Sequence, residues 1–283
     1  MKKNLNAKKI IFTILRYLIV LAVIFIILFP IIWMLPAAFK GKREIWAIPN
    51  TFWPKDFTWD NFTKIFTLDH NGYNFFRSLA MTMLVATLSV VGSLVVNMLA
   101  AYAFARLEFR GKKVLWVYFI MTMFIPGITI LLTSIRVVSF LKMTDTLLVL
   151  VLPGLVSGYN IFFFRQFYLG MPSSLEEAAA IEGCSPFKIF IKIFLPMSVT
   201  PMVIIGVSVF MGYWNSFMWP TLTIINNPDL AQVMQVIRVL KTSYSGEFGI
   251  VIAATLLAIA PPLLIFAIFQ KKIVAGIAIS GLK

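Results

Sequence analysis

The chain has 283 residues, of which 60% are hydrophobic, 15% aromatic and only 13% charged, with a mean hydropathy of +0.91. Soluble domains carry about 25% charged residues, so the polar surface needed to cover this apolar mass in water is missing, and the natural solvent is a bilayer. Twenty-five Lys and Arg against eleven Asp and Glu leave a net +14, which in a membrane chain reports topology rather than nucleic-acid binding; a single cysteine, Cys184, and a single histidine, His70, exclude an internal disulfide and leave no set of ligands for a zinc site.

A spanning helix needs about 20 mainly apolar residues. The pattern predicts six of them, at residues 15–39, 78–105, 114–135, 146–164, 199–223 and 250–270, between a cytoplasmic N-terminus (1–14) and a cytoplasmic tail (271–283). The fold class is therefore all-α and polytopic. The first span follows Lys2, Lys3, Lys8, Lys9 and Arg16, as a signal peptide would. Its apolar stretch far exceeds a signal's core of about 7–15 residues, so it reads as an uncleaved helix. With the N-terminus inside, the inner segments hold fifteen cations and four acids, the outer ones ten cations and seven acids, a net of +11 against +3. That bias places both termini in the cytoplasm; the cluster Lys40–Arg43 runs against it. The outer loop 40–77 carries Trp46, Trp53 and Trp59, either an aromatic belt at the membrane interface or a docking surface for an external partner. Pro126-Gly127, Pro153-Gly154, Gly206, Gly212 and Pro261-Pro262 fall within spans. They are either ordinary membrane-helix composition or hinges where a missing donor bends the helix.

Residues 165–196, between spans four and five, form the most patterned polar segment. Ser174 and Glu177 have capping-box spacing, and the run from Leu175 to Glu182 favours helix. Gly183 is placed to end that helix in a left-handed conformation. Ser185 then caps a second helix with Pro186 at its first position, and Pro196 ends it before span five. The loop is either a structural elbow on the membrane face or a surface where Ala178, Ala179 and Ala180 let another protein approach closely.

The run Glu177-Ala178-Ala179, then Gly183, then Ile193, Leu195 and Pro196 resembles the EAA loop of ABC-importer permeases. Ala101–Arg106 with Phe109-Arg110-Gly111, Trp214-Asn215 with Trp219-Pro220, and the tail Gly276–Lys283 resemble further segments of carbohydrate permeases of the maltose-transporter type. Ser216 departs from that pattern, which commonly has Asp there. The resemblance implies a type I permease fold in a bacterial inner (plasma) membrane. It implies a second permease subunit as heterodimer partner, two ATPase subunits that bind ATP and Mg, an extracytoplasmic solute-binding protein, and a sugar or oligosaccharide as cargo. Glu177, Ala178, Ala179, Glu182, Gly183, Ile193, Leu195 and Pro196 would then couple the spans to the ATPase. Glu177 has helix capping as a competing role. The chain's own Gly-Lys pairs, Gly41-Lys42 and Gly111-Lys112, lack the frame that cradles nucleotide phosphates, so this subunit is expected to bind no cofactor and to catalyse nothing itself.

Intramembrane charges are costly and usually functional, and the middles of spans two to six have essentially none, which fits a neutral solute. The remaining polar and aromatic groups give a candidate path: Asn160, Tyr213, Trp214 and Asn215, with Tyr159, Ser216, Trp219 and Asn97 nearby in the pattern. Asn97 and Asn160 have helix–helix hydrogen bonding as their competing role, and Tyr213–Asn215 have packing of the span with an interhelical bond as theirs. A self-sufficient carrier would show buried ionisable groups or an inverted repeat, and a membrane enzyme a nucleophile–base pair or metal cluster; neither pattern is present. A permease for another class of solute remains compatible with the EAA loop.

Overall fold

The computed structural model describes residues 2–67, 72–244 and 246–280, with side chains at 9–67, 72–244 and 246–274. His70, the side chains of Lys2, Lys3 and Lys8, and those of the 276–283 tail motif lie outside the described residues. Among these there are helices and no β-strand. The chain divides into two compact units, Met1–Thr67 with Val239–Leu257, and Leu68–Arg238 with Ala258–Lys283.

The first unit starts with α1 (Lys2–Ala37), whose apolar residues from Ile10 to Leu35 are mostly exposed. That is the pattern of a helix whose neighbours are lipid or other chains. The segment after it, with α2 (Lys42–Ile45) and α3 (Asp60–Thr67), is folded and not a loose interfacial loop. Lys40 is fully buried there. Its Nζ donates to Asn50 Oδ1 at 2.7 Å and to the Thr51 carbonyl. Asn61 Nδ2 donates to the carbonyls of Ala38 and Lys40 at 2.8 and 2.9 Å, and the Phe39 ring stacks on Phe57 at 4.7 Å. Lys64 pairs with Glu247 at 2.6 Å and Lys42 approaches the same carboxylate at 4.0 Å. The basic cluster that opposed the charge bias therefore consists largely of residues engaged in folding this segment. Trp46, Trp53 and Trp59 remain exposed at its surface.

In the second unit, α4 (Phe75–Arg106) is the central post, and α8 (Gly158–Leu169) and α12 (Val199–Trp214) pack along it. The other predicted spans of this unit are broken. Residues 114–135 were expected as one helix; instead α5 (Lys112–Thr122) and α6 (Gly127–Phe140) meet at 105° around Pro126-Gly127. At 1.5 Å per residue they are about 16 and 21 Å long, so neither half covers a hydrocarbon core of about 30 Å. α7 (Leu147–Val151) runs through a 3₁₀ turn, Leu152–Gly154, and meets α8 at 46°. The expected fifth span stops at Trp214, and after three residues α13 (Met218–Thr223) continues. α14 (Val233–Ser243) precedes the last long helix, α15 (Phe248–Ser280), which carries Pro261-Pro262 without breaking. Two of the five Pro/Gly sites thus mark breaks, and the others sit inside continuous helix.

Asn97 explains how the break before α8 is tolerated. In hydrocarbon every backbone polar group needs an internal partner. The fully buried Asn97 donates from Nδ2 to the Leu155 carbonyl at 2.7 Å and accepts the Ser157 N–H on Oδ1 at 2.9 Å. One side chain of α4 thereby satisfies an acceptor and a donor released by the interrupted helix. Close packing helps: a β-carbon at Gly92 would sit 2.8 Å from a Leu155 methyl.

A second stitch lies at the opposite end of the same elements. Asp145, at φ +57° in the turn before α7, accepts the N–H groups of Ile225 and Asn226 at 2.6 and 2.9 Å and the Asn226 amide at 3.1 Å. Burial pushes its carboxyl up, but these N–H donors outweigh burial and hold it below the ordinary carboxylate value. A depressed folded pKa means that the unfolded chain binds the proton more readily. The stability it contributes is therefore complete above the unfolded value of about 3.9 and is lost as pH falls through the folded value. Thermal unfolding in detergent should show wild type losing stability below about pH 4, with Asp145→Ala less stable at neutral pH and less sensitive to acid. Asn97→Leu should cost about 1–3 kcal/mol, read as a lowered midpoint in the same assay at all pH values.

Candidate coupling loop and solute cavity

The loop after α8 folds as α9 (Ser174–Ile181) and α10 (Pro186–Ile189), then a π-helical turn at Phe190–Phe194 and α11 (Leu195–Met197). Gly183 has φ +78°. Cys184 N–H donates to the Ala179 carbonyl at 3.0 Å and Gly183 N–H to Ala180 at 2.9 Å, the paired bonds that end a helix at a left-handed residue. Ser185 Oγ accepts the Lys188 N–H at 3.4 Å and Pro186 opens α10, as the spacing predicts. Two expectations fail. The Ser174–Glu177 capping box is not made, because the helix begins one residue earlier: the Ser173 carbonyl accepts the N–H groups of Glu176 and Glu177, both at 3.0 Å, and no side chain caps this end. Pro196 does not end the second helix either. It lies inside α11, directly after the π turn, and the chain turns only at Ser198, where the loop helix meets α12 at 79°.

The residue that holds this loop in place has no role legible in the sequence alone. Arg106, the last residue of α4, is only about 10% exposed along its side chain and pairs with Glu176 at 3.1 Å. Its Nη2 donates to the carbonyl of Tyr168 in the last turn of α8 and to that of Met171 just beyond it, where a cation meets the negative end of the helix dipole. Its guanidinium lies 5.3 Å from the centre of the Phe194 ring. One turn earlier, Tyr102 donates to the Pro186 carbonyl at 3.1 Å and packs on Phe190 and Phe194. Tyr102 and Arg106 stand at i and i+4, one face of α4, and bind both halves of the loop.

This anchoring divides α9 into two faces. Glu176, Ala179 and Cys184 turn inward, partly buried. Glu177, Ala178, Glu182 and Gly183 are exposed, as are Leu175 and Ile181, the latter at 88%. Of the other candidate coupling residues, Ile193 and Leu195 pack against the buried cluster around Tyr102 and Phe194, while Pro196 is exposed. Ile181 is not marked by the sequence: its apolarity reads as helix content until the fold shows it facing outward.

A cavity of about 540 Å³ lies at the other end of α8, bounded by α6, the 3₁₀ turn, α8, α12 and α13. Asn160 and Tyr213 both line it, with Tyr159, Ser157, Ser216 and Trp219. Tyr213 donates to the Val151 carbonyl at 3.3 Å and Trp219 Nε1 to Val149 at 2.8 Å, so these rings give the cavity their faces and not their polar atoms. The Asn160 amide donates to Ser93 Oγ at 3.4 Å; its oxygen accepts nothing from the described residues. A β-carbon at Gly154 would collide with the Tyr213 hydroxyl, so only glycine lets that ring lie as it does. Among the described residues no Asp, Glu, Lys or Arg lines the cavity.

The other two path residues do not reach it. Trp214 is about 1% exposed, and its Nε1 donates to the Ala258 carbonyl at 3.1 Å, a packing role. Asn215 ends α12 and donates back to the Met211 carbonyl at 2.9 Å. Consecutive residues of a helix point about 100° apart, so Tyr213, Trp214 and Asn215 cannot share one wall. Asn97 likewise serves helix packing. Replacing Arg106 by Gln removes charge-assisted bonds worth about 1.5–3 kcal/mol each at most; the expected outcome is a lower unfolding midpoint in detergent and faster proteolysis of the 170–186 segment. Lys at this position should rescue only in part, because it cannot fork to several acceptors.

The description "binding-protein-dependent transport system inner membrane component" belongs to the family model that matches residues 97–278. The arabinooligosaccharides transport system permease protein AraQ of Halalkalibacterium halodurans is 29% identical over 261 residues, 92% of either chain. The sn-glycerol-3-phosphate transport system permease protein UgpE of Escherichia coli (strain UTI89) is 32% identical over 270 residues, 94% of this chain and 95% of that one. Among solved structures, a bacterial ABC transporter that imports the acidic polysaccharide alginate superposes with a TM-score of 0.81 at 21% identity, covering 93% of this chain and 97% of the other. The alginate transporter in complex with its pentasaccharide-bound periplasmic protein gives 0.62 at 16% identity. The chain belongs to the family of binding-protein-dependent transport system inner membrane components, and is an all-α, multi-span permease subunit of an ABC importer.

Proposed function

We propose that this subunit forms half of the path for a sugar or oligosaccharide and transmits ATP-driven motion to it through α9. Both termini would be cytoplasmic, which puts α9 on the inner face. Its partners would be a second permease subunit, two ATPase subunits that hold ATP and Mg, and an external solute-binding protein. The observation that carries this reading is the exposed rim of Leu175, Ala178 and Ile181, edged by Glu177 and Glu182, on a helix locked to α4 and α8. Small and apolar residues flanked by carboxylates suit insertion into a groove of another protein. A push on α9 passes through Glu176 and Arg106 to the end of α8. About 12–16 Å from there along that helix, Asn160 and Ser157 form part of the cavity wall. A rigid-body swing of this kind would open the cavity to alternate sides.

The cavity supports the choice of solute. Aromatic faces from Tyr159, Tyr213 and Trp219 match the CH faces of a sugar ring, and Asn160, Ser157 and Ser216 offer hydrogen bonds without charge. A phosphorylated polyol, the solute named for UgpE, is a second reading, but its dianion finds no cation in this wall. In proteoliposomes holding the full complex, Ile181→Asp should abolish ATPase assembly and uptake together. Tyr213→Ala with Asn160→Ala should leave assembly intact and raise the apparent KM for uptake about tenfold or more, as expected for about 1.4 kcal/mol of lost contact. Normal assembly with Ile181→Asp would remove the docking role, and unaltered uptake kinetics in the double variant would remove the cavity from the path.

A further inference from the structure

A hollow of about 440 Å³ beside the connection from α4 to α5 is used by neither the coupling loop nor the solute cavity. Arg165, Lys112 and Lys113 line it, with Trp116 and Phe104. The Arg165 guanidinium is fixed twice: Nε donates to the Phe104 carbonyl at 3.2 Å, and the group lies 4.1 Å from the centre of the Trp116 ring. These contacts leave its two terminal amino groups, four N–H donors, without an acceptor among the described residues. Lys113 is exposed and likewise has no acid partner among them. One carboxylate, Glu108, stands at the rim and is paired with Lys112 at 2.9 Å, so the wall keeps a net positive charge.

The start of α5 adds to this. Gly111 precedes it at φ +84° with no side chain to cap it, and its first turn has two lysines and no acid. The positive end of a helix dipole is stabilised by anions and opposed by cations, so this end is electrostatically incomplete by itself. Along the same helix Val114, Val117, Tyr118 and Met121 recur at helical spacing and are all exposed, an apolar strip leading away from the basic hollow.

We infer that this hollow binds the phosphate headgroup of an anionic phospholipid, with the phosphate on the Arg165 fork and an acyl chain along the Val114–Met121 strip of α5. A free phosphate ion shares the headgroup's chemistry but makes no use of the apolar strip. Basic hollows between membrane helices beside an interfacial Trp are suited to such lipids.

Native mass spectrometry of the purified importer complex in detergent tests this, with phosphatidylglycerol and phosphatidylcholine of matched chains as probes. The wild type should retain phosphatidylglycerol over phosphatidylcholine, and Arg165→Gln and Lys113→Gln should each cut that preference about fivefold, the effect of one cation near an anionic headgroup. Lys271→Gln, an exposed cation elsewhere, should leave it unchanged. Lys113 is on the surface, so its variant decides the matter even where Arg165→Gln fails to fold. Equal retention of the two lipids by wild type, or a preference that survives Lys113→Gln in a complex with an unaltered unfolding midpoint, overturns the inference. Displacement of phosphatidylglycerol by millimolar inorganic phosphate overturns the lipid assignment in favour of a soluble phosphate.

Discussion

The second unit depends on keeping backbone groups paired where helices break inside an apolar medium. An unbroken helix satisfies itself, and α4 is one. The elements packed on it are interrupted, and each interruption releases donors and acceptors that water cannot reach. Asn97 satisfies Leu155 and Ser157 at the break where Pro153, Gly154 and Ser157 also line the cavity. A polar cavity and a polar staple are therefore two consequences of one interrupted helix. Without the staple the break would leave the Leu155 carbonyl and the Ser157 N–H unpaired, a cost of about 1–3 kcal/mol.

α8 connects the cavity to the loop that carries α9. Its first turn lies at the cavity and its last turn lies on Arg106. A helix of this length transmits displacement because its own hydrogen bonds are all made. Arg106 uses its fork on three elements at once, α8, α9 and the π turn, a task that suits a planar multi-donor cation better than a point charge. Much of the segment Ala101–Arg106, recognisable in sequence only as a resemblance, has this physical basis: Tyr102 and Arg106 grip the loop while Ala101 and Phe104 are buried in the core beside it.

The charges follow a similar logic. Lys40 is consumed by the fold of the first unit, and Lys42 and Lys64 share Glu247. Arg77 pairs with Asp229. In contrast, Arg165 and Lys113 keep unspent donors beside an open helix start. A count of lysines and arginines by side treats these residues alike. Their partners separate those that stabilise the chain from those available to something outside it.

What the sequence determined by itself were properties that depend on composition and local spacing: a membrane solvent, long helices covering 78–105 and 250–270, the left-handed stop at Gly183, and the Ser185-Pro186 start. Each is decided within a few residues or by a sum over a window. Breaks were harder to place. Pro126-Gly127 and Pro153-Gly154 interrupt helices while Pro261-Pro262 does not, although the local sequence signal is of the same kind, and at the second break the freed groups are taken up by Asn97, a residue of another helix. The same holds for sites. Tyr213 and Asn160 meet in one cavity although 53 positions separate them, whereas Trp214, adjacent to Tyr213, turns to Ala258. Arg106 was legible only as one residue of a resembling segment, with no role attached, and Ile181 carried no signal, since an isoleucine in a helix is ordinary in isolation. Only the tertiary structure decided which of them is buried against carbonyls and which is exposed, because burial and partnership are properties of pairs of elements and not of a stretch of chain.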